Sequence, residues 1–402
     1  MKKFNVEKIG SFGERLGRWD VAGNHVKSPG LWLTTSACGV PHLTPETLQM
    51  SGLLSTLSFA GFLVSFEKHA RSIDVYQDFQ KGFRIFSGLP DDAPILLTVM
   101  DPMLKAKSGY NTSKSISVWG EANHRELVSV HQYKAGLEAL KPDIFVSLCD
   151  SDIPKIDSGS SKRAQKATKF TQNSVDYLME QNENCLHVGP IGGSYSELLR
   201  QKNAQWMASK HLLDGYLLDG FHSNGETSLQ VDLKRVLQIT KNFILPSLST
   251  EKPRLYFGMV EPYTVLKLVQ IGVDFFETSF AYYKTEQGHA LTFKNSLHDI
   301  SQARKIPIDE NDVDFIDLNC PEYKNDFRPI LENCSCYTCR KHTRGYINHL
   351  LATKELLAGV LLTIHNLHHY ATFFETIREA IALDAFEQLL KYFESKKVEL
   401  NE

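Results

Sequence analysis

Three cysteines lie within six positions in the segment CSCYTC, as Cys334, Cys336 and Cys339. Thiolates this close together in one tight turn can all face a single tetrahedral metal ion, and zinc is the usual ion for such donors. A fourth ligand must then come from elsewhere in the chain. The nearby candidates are one further cysteine and five histidines: Cys320, His342, His349, His365, His368 and His369.

The segment after the cysteines is strongly helical, and this limits which histidine can return to them. A straight helix rises about 1.5 Å per residue, so it would carry His365 roughly 39 Å away. We therefore expect a break at residues 352–355, where Thr353 can cap the start of a second helix. Two arms of about 16 Å each would bring His365 back to the cysteine turn. A site with four protein ligands is closed, so its zinc would be structural and not catalytic.

The composition limits the classes of protein to consider. The chain has 402 residues, of which 42% are hydrophobic, enough for one large domain or two ordinary ones. Its 44 basic and 47 acidic residues give a net charge of −3, which argues against a stand-alone nucleic-acid binder. Seven cysteines are too few and odd in number for a secreted disulfide framework. Because no run approaches the roughly 18 to 20 apolar residues of a membrane span, we expect a soluble, intracellular protein.

The middle of the chain alternates apolar runs with amphipathic helical patterns. Near-continuous apolar runs are typical of parallel strands buried on both faces. Seven such runs indicate an α/β fold, a (β/α)8 barrel, with the eighth strand predicted at 289–293. The main alternative is a doubly wound open sheet, but no GxGxxG turn follows the first run. The seven runs are residues 61–66, 95–100, 143–149, 185–189, 215–220, 254–260 and 273–280.

The barrel pattern divides the chain into four predicted parts. Residues 1–50, rich in glycine, predict an antiparallel β meander packed on the barrel of residues 51–308. Residues 309–370 would form the zinc-binding helical subdomain, and residues 371–402 the C-terminal helices. The basic segment 155–169 is predicted to be a solvated loop rather than an RNA contact.

Several of these segments resemble one known family. The CxCxxC pattern, the histidine of HN 26 residues later, and YINHLLATKELLAG between them resemble the zinc signature of the tRNA-guanine transglycosylases. IGGSYSELLR, GYLLDGF and KPRLYFGMVEP with GVDFFE resemble the family's QGG segment, its glycine-containing turn and its sixth and seventh strands. The resemblance covers most of residues 90–370. It implies a modified (β/α)8 barrel and one structural Zn²⁺ per chain, held by Cys334, Cys336, Cys339 and His365.

The positions that carry chemistry in this family are altered here. Its members exchange guanine at the tRNA wobble position for a deazaguanine base through a ribosyl intermediate on an aspartate. The DSGG segment is missing from LLTVMDPMLKAKSG, where Asp101 is the only remnant. Ile191 replaces the glutamine that recognises the base, and Asp219 replaces a glycine. Glu277 aligns with the nucleophilic aspartate, one methylene longer. We therefore assign no catalytic residue.

The resemblance together with these changes predicts a non-catalytic subunit. It would pair with a catalytic family member in a heterodimer, through the helical hairpin 343–370, and could form a homodimer in isolation. The complex would exchange guanine for queuine in tRNAs with GUN anticodons, those for Asp, Asn, His and Tyr, so tRNA would be reached through the complex. The resemblance further suggests a cytoplasmic protein that can associate with the mitochondrial outer membrane.

Two other functions remain open at this stage. The chain could be an active base-exchange transglycosylase that uses Glu277 as its nucleophile, since glutamate is still a carboxylate. It could also be a zinc-stabilised scaffold or binding protein on an inherited barrel, because a fold does not dictate a function.

Overall fold

The structure is a computed structural model that describes residues 3–120, 124–153, 155, 159, 161–181, 185–303 and 313–399. Within these ranges the strands are β1 (Phe4–Ile9), β2 (Arg15–Val21), β3 (Asn24–Ser28), β4 (Gly30–Thr34), β5 (Gly61–Ser65), β6 (Ile95–Thr98), β7 (Ser115–Trp119), β8 (Arg125–Ser129), β9 (Ile144–Val146), β10 (Leu186–Ile191), β11 (Gly215–Leu218), β12 (Arg254–Leu255), β13 (Phe275–Glu277), β14 (His289–Leu291) and β15 (Phe315–Asp317). The α-helices of the same ranges are α1 (Pro45–Met50), α2 (Leu53–Thr56), α3 (Phe66–His69), α4 (Ile73–Phe79), α5 (Gly82–Phe86), α6 (Val130–Leu140), α7 (Lys162–Gln181), α8 (Glu197–Ala208), α9 (Leu233–Ile239), α10 (Pro262–Gln270), α11 (Ser279–Glu286), α12 (Leu297–Ala303), α13 (Tyr337–Lys341), α14 (Arg344–Ala352), α15 (Leu356–Ala382) and α16 (Phe386–Glu399).

Eight parallel strands close into a barrel, in the order β4, β5, β6, β9, β10, β11, β12, β13. The last strand pairs with the first, with Phe275 opposite Gly30 and Glu277 opposite Trp32. The predicted (β/α)8 barrel is therefore confirmed, as is the antiparallel sheet β1–β2–β3 that precedes it. The seven apolar runs that we identified all contribute a barrel strand, because each is buried on both faces.

The predicted position of the eighth strand is wrong. Residues 289–291 form β14, which pairs antiparallel with β15 outside the barrel. The missing strand is instead Gly30–Thr34, every residue of which is buried. This run follows the N-terminal sheet without a helix between them, so it resembles one more strand of that sheet. The barrel consequently begins inside the range that we predicted for the N-terminal meander.

Every barrel strand contributes at least one side chain to the hydrophobic cluster inside the barrel. The N-terminal sheet covers one end of the barrel. Trp19 of β2 packs against Phe275, the first residue of β13, with ring centroids 5.4 Å apart. The sheet therefore covers the amino-terminal end of the barrel, leaving the carboxyl ends of the strands for a site. The interior cluster comprises Phe4, Trp19, Val21, Val26, Trp32, Ala60, Leu63, Leu96, Ile144, Val146, Val188, Leu217, Leu255, Phe257 and Phe275.

The helices after the cysteines break where we predicted. Helix α14 ends at Ala352 and α15 begins at Leu356. The role assigned to Thr353 is wrong: it ends α14, and its hydroxyl donates to the carbonyl of His349 at 2.9 Å, instead of capping α15. Helix α15 then continues to Ala382, across the predicted boundary at residue 370.

The remaining sequence predictions have mixed outcomes. The boundary at residue 308 lies outside the described residues, and the division into four domains stays a prediction. Residues 156–158 and 160 of the predicted solvated loop also lie outside them, but from Lys162 onward the segment is helix α7, with Lys162, Lys166 and Lys169 exposed. Among the described helices, none combines the length and the apolar character that crossing a membrane requires.

Candidate metal centre and barrel mouth

The cysteine turn and helix α15 form one cluster of possible metal ligands. Cys336 caps the start of α13, and its Sγ accepts the backbone N–H of Cys339 at 3.2 Å. The hydroxyl of Thr338 donates to the carbonyl of Leu361 at 2.7 Å and so fastens α13 to α15. Because His365 follows Leu361 by about one helical turn, its side chain lies beside the same cysteine turn.

The structure brings together the four side chains named from the sequence. The Nδ1 atom of His365 lies 3.3 Å from the Sγ of Cys339, 3.6 Å from that of Cys336 and 3.9 Å from that of Cys334. All four ligand atoms lie within 4.8 Å of one another. Tetrahedral bonds of 2.0 to 2.3 Å place ligand atoms roughly 3.5 to 3.8 Å apart, so these distances fit one metal ion.

Hydrogen bonds on the far side of the histidine fix its orientation. The Nε2 atom of fully buried His365 lies 2.8 Å from the carbonyl oxygen of Leu291, so Nε2 carries the proton and Nδ1 faces the sulfurs. The side-chain oxygen of the next residue, Asn366, accepts the N–H of Leu291 at 2.9 Å. Strand β14, which we had placed in the barrel, therefore braces the metal cluster.

The other histidine candidates have different roles. The Nε2 of His369 is 2.8 Å from the carbonyl oxygen of Phe293, and its Nδ1 contacts Asn295. His349 is exposed on the last turn of α14. His342 stacks on Tyr346 with ring centroids 5.2 Å apart. His368 lies next to the cluster, 4.0 Å from Cys334.

A separate cleft opens at the carboxyl ends of the barrel strands, with a volume of about 90 Å³. Active sites of (β/α)8 barrels lie at this end. The cleft lining combines Thr98, Val99, Met100, Pro102, Ala106, Lys107, Ser108, Asn111, Ile116, Ser117, Val146, Ser147, Cys149, Ser151, Asp152, Leu217, Leu218, Asp219, His222, Ser223, Asn224 and Phe257.

Three of the altered family positions lie at or near this cleft. The carboxylate of Asp219, which follows β11, lines it and accepts a hydrogen bond from the hydroxyl of Ser151, which follows β9, two strands away in the barrel. Ile191 is fully buried in the hydrophobic core. Asp101 is also buried, which raises its pKa, and it accepts the N–H of Met103 at 2.8 Å. Of these three side chains, that of Asp219 is the one that lines the cleft.

Glu277 is enclosed by hydrogen-bond donors. Its Oε1 accepts the N–H of Gly258 at 3.0 Å and the hydroxyl of Ser279; its Oε2 accepts the hydroxyl of Thr34 and the N–H of Ser279 at 2.7 Å. The side chain is 1% exposed, and burial raises its pKa to about 7 against the effect of these donors. Each oxygen has two donors, so the carboxylate is occupied in holding strand ends together.

Arg200 links three backbone carbonyls at the carboxyl end of the barrel, and the sequence did not predict this role. It is fully buried in α8, and its guanidinium donates to the carbonyls of Ser194, Ile191 and Asp219 at 2.5 to 2.8 Å. It also lies over the ring of Phe221, 3.5 Å from the centroid. An arginine in an amphipathic helix is normally exposed, so nothing in its spacing distinguishes it from a surface residue.

Comparison with known proteins agrees with this arrangement. A family model described as queuine tRNA-ribosyltransferase matches residues 11–399, which include both the barrel and the metal cluster. Proteins named queuine tRNA-ribosyltransferase accessory subunit 2 from Drosophila erecta, Xenopus tropicalis and Aedes aegypti are 33%, 32% and 30% identical to this chain. The alignments cover 96%, 97% and 98% of this chain and 91%, 99% and 93% of those relatives. The chain belongs to the queuine tRNA-ribosyltransferase family, as the resemblance had predicted.

Proposed function

We propose that this chain is the non-catalytic accessory subunit of a heterodimeric queuine tRNA-ribosyltransferase. The observation that carries the proposal is the environment of Glu277, whose two carboxylate oxygens each accept two hydrogen bonds. A nucleophile needs a lone pair directed at its substrate, in reach of a reacting atom. Glu277 directs both oxygens at its own barrel instead, and the names of the three relatives agree with an accessory role.

The cleft supports the same proposal. Base exchange requires room for a purine and donors or acceptors that match its edge. Here the carboxylate of Asp219, hydrogen-bonded to Ser151, lies where the family has a glycine that lets the base approach. Ile191, at the position of the base-recognising glutamine, has no polar group to offer. The residues at these two positions, Asp219 and Ile191, therefore disfavour the binding of guanine by this chain.

We propose that the four-residue cluster holds one structural Zn²⁺ ion. Three thiols and one imidazole are a common zinc donor set, and the distances among them suit a tetrahedral ion. Cys334, Cys336, Cys339 and His365 would be its ligands. With all four positions taken, the ion would connect the cysteine turn to α15 and supply stability rather than chemistry.

The surface near the zinc cluster is suited to a protein partner. A run of neighbouring rings is formed by Tyr337 on α13, His342 between the two helices and Tyr346 on α14, with centroids 5.8 and 5.2 Å apart. Leu356, at the start of α15, is 88% exposed, and Leu357 next to it is partly exposed. Exposed aromatic and apolar groups of this kind mark protein interfaces. We propose that the hairpin 343–370 contacts the catalytic subunit, or a second copy of this chain when that subunit is absent.

Two parts of the proposal rest on the family resemblance. The complex would act on tRNAs with GUN anticodons, and this chain would reach tRNA as part of the complex. It would be cytoplasmic, with peripheral association at the mitochondrial outer membrane.

An active transglycosylase based on Glu277 is not favoured, because its carboxylate is buried and fully hydrogen-bonded. A zinc-stabilised scaffold, which would have no catalytic partner, is not favoured either, because the three relatives are named as accessory subunits.

Mixing experiments test the proposal. Exchange of labelled guanine into a GUN-anticodon tRNA would be measured with this chain alone, with a catalytic family member alone, and with both. Light scattering on the mixture would report whether a one-to-one complex forms. We expect exchange and a complex only in the mixture. A mixture without complex or exchange would contradict the accessory role and favour the scaffold.

A further inference from the structure

Three thiolates and one neutral imidazole on a divalent ion leave the cluster with a net charge of about −1. N–H and O–H groups that point at the ligands stabilise such a charge and hold the ligands in place. Cys336 has a donor of this kind, because its Sγ accepts the backbone N–H of Cys339 at 3.2 Å. Its position is fixed further because it caps helix α13.

Cys334 is held less firmly than the other two cysteines. It precedes α13, whereas Cys336 caps that helix and Cys339 lies in it, and its turn is closed by its own N–H and the carbonyl of Leu331 at 3.4 Å. Its Sγ is also the sulfur farthest from the Nδ1 of His365, at 3.9 Å compared with 3.3 Å for Cys339. Of the three cysteines, Cys334 therefore depends most on a contact with a residue outside the cluster to keep its position.

His368 makes that contact. It follows His365 by three residues on α15, so the two imidazoles lie on the same face of the helix. The Nδ1 of His368 is 4.0 Å from the Sγ of Cys334, and its Nε2 is 3.1 Å from the hydroxyl oxygen of Ser335. A neutral imidazole has one donor and one acceptor nitrogen. If the Ser335 hydroxyl donates to Nε2, then Nδ1 carries the proton and faces the thiolate.

We propose that His368 is a positioning residue of the metal centre, which donates from Nδ1 to the Cys334 thiolate while Ser335 donates to its Nε2. The inference rests on the proposal that the cluster holds zinc. The imidazole contacts two consecutive residues of the turn, so it ties the loose end of the cysteine turn to the helix that carries His365. Without it, Cys334 leaves the ion more readily, and the cluster binds zinc more weakly.

Zinc affinity of the full-length chain tests the inference, measured by competition with a chelator of known affinity. Loss of such an outer contact typically weakens metal binding about 10- to 100-fold, and we expect His368→Leu to raise the zinc Kd by that factor. His368→Asn should keep an affinity close to wild type, because its amide nitrogen can take the place of Nδ1. His349→Leu is the matched control, since His349 is an exposed histidine of the same subdomain.

Alkylation of Cys334 by iodoacetamide, followed by peptide mass spectrometry, gives a second readout. The zinc-loaded His368→Leu chain should be modified at Cys334 faster than wild type. Equal affinity and equal alkylation in the two proteins would overturn the inference. A loss shared equally by His368→Leu and His368→Asn would also overturn it, because packing alone would then explain it. A wild-type chain that binds no zinc would instead remove the zinc proposal on which the inference rests.

Discussion

The hydroxyl of Thr34 donates a hydrogen bond to the carboxylate of Glu277 across the seam where the last barrel strand pairs with the first. The same carboxylate accepts the N–H of Gly258, which follows β12, and both donors of Ser279, which begins α11. One side chain thus links three neighbouring strand ends and a helix. The sequence resemblance places the family's nucleophile at this position, whereas here its contacts are those of a structural residue.

Removing the Glu277 carboxylate should therefore destabilise the barrel. Glu277→Ala leaves buried donors from Thr34, Gly258 and Ser279 without an acceptor, and we expect it to lower the free energy of unfolding by about 3 kcal/mol. Glu277→Gln keeps the shape and one acceptor oxygen, so its loss should be smaller. Urea unfolding followed by circular dichroism measures both. Wild-type stability in Glu277→Ala would show that the four hydrogen bonds do not hold the seam.

His187 should make the chain sensitive to acid. Burial lowers its pKa to about 3, from 6.5 in an exposed histidine, and its ring stacks on Phe145. The folded state therefore binds this proton more weakly than the unfolded state. Its contribution to stability is complete above pH 6.5 and is lost as the pH falls towards 3.

The variant His187→Gln isolates this effect. Between pH 7 and pH 5, we expect wild type to lose about 2 kcal/mol more unfolding free energy than the variant, as the unfolded histidine becomes protonated. Urea unfolding at the two pH values measures the difference. The exposed residue His298 is the control, and His298→Gln should show the same pH dependence as wild type. Parallel curves for wild type and His187→Gln would contradict a buried neutral histidine.

Metal content tests the cysteine cluster. Mass spectrometry of the purified chain should find one zinc ion per molecule, and Cys336→Ala should reduce this strongly, because only three ligands remain. Chelation should also lower the melting temperature of wild type more than that of the variant. Cys185, which contacts the carbonyl of Pro142 away from the cluster, provides the control variant Cys185→Ala, with unchanged zinc content. Full zinc occupancy in Cys336→Ala would refute the assigned ligand set.

Two exposed residues test the proposed partner surface. Leu356→Glu and Tyr346→Ala should each weaken the complex with the catalytic subunit at least about tenfold, a change of roughly 1.4 kcal/mol. Because both side chains are exposed, the stability of the isolated chain should change little. Leu212→Glu, at an exposed position after α8, should leave binding unchanged. Biolayer interferometry would measure the affinity of each variant for the catalytic subunit. Wild-type affinity in both hairpin variants would show that the partner binds another surface.

Sequence patterns predicted the barrel well because most of its strands are buried on both faces and are therefore apolar throughout. The strand Gly30–Thr34 was missed because it directly follows the N-terminal sheet, with no helix to mark the start of the barrel. Residues 289–293 were placed in the barrel because a short apolar run does not reveal its partner. Its partners are strand β15 and the side chains of α15.

The site could be predicted only where its residues are close in the sequence. Three cysteines within six positions indicate a metal turn without knowledge of the fold. The surroundings of Glu277 and Arg200 depend on residues up to 243 positions away, such as Thr34 for Glu277. A carboxylate that acts as a nucleophile and one that holds a seam have the same sequence signature. Their hydrogen-bond partners distinguish them.

The most direct test of the central claim is guanine exchange by mixtures prepared with altered subunits. Exchange into a GUN-anticodon tRNA would be measured for wild type alone, for Glu277→Gln alone, and for the catalytic relative mixed with either, at a temperature where both proteins are folded. We predict no exchange by this chain alone and equal exchange by the two mixtures. Exchange by this chain alone that is abolished in Glu277→Gln would show that Glu277 is a nucleophile and contradict the account.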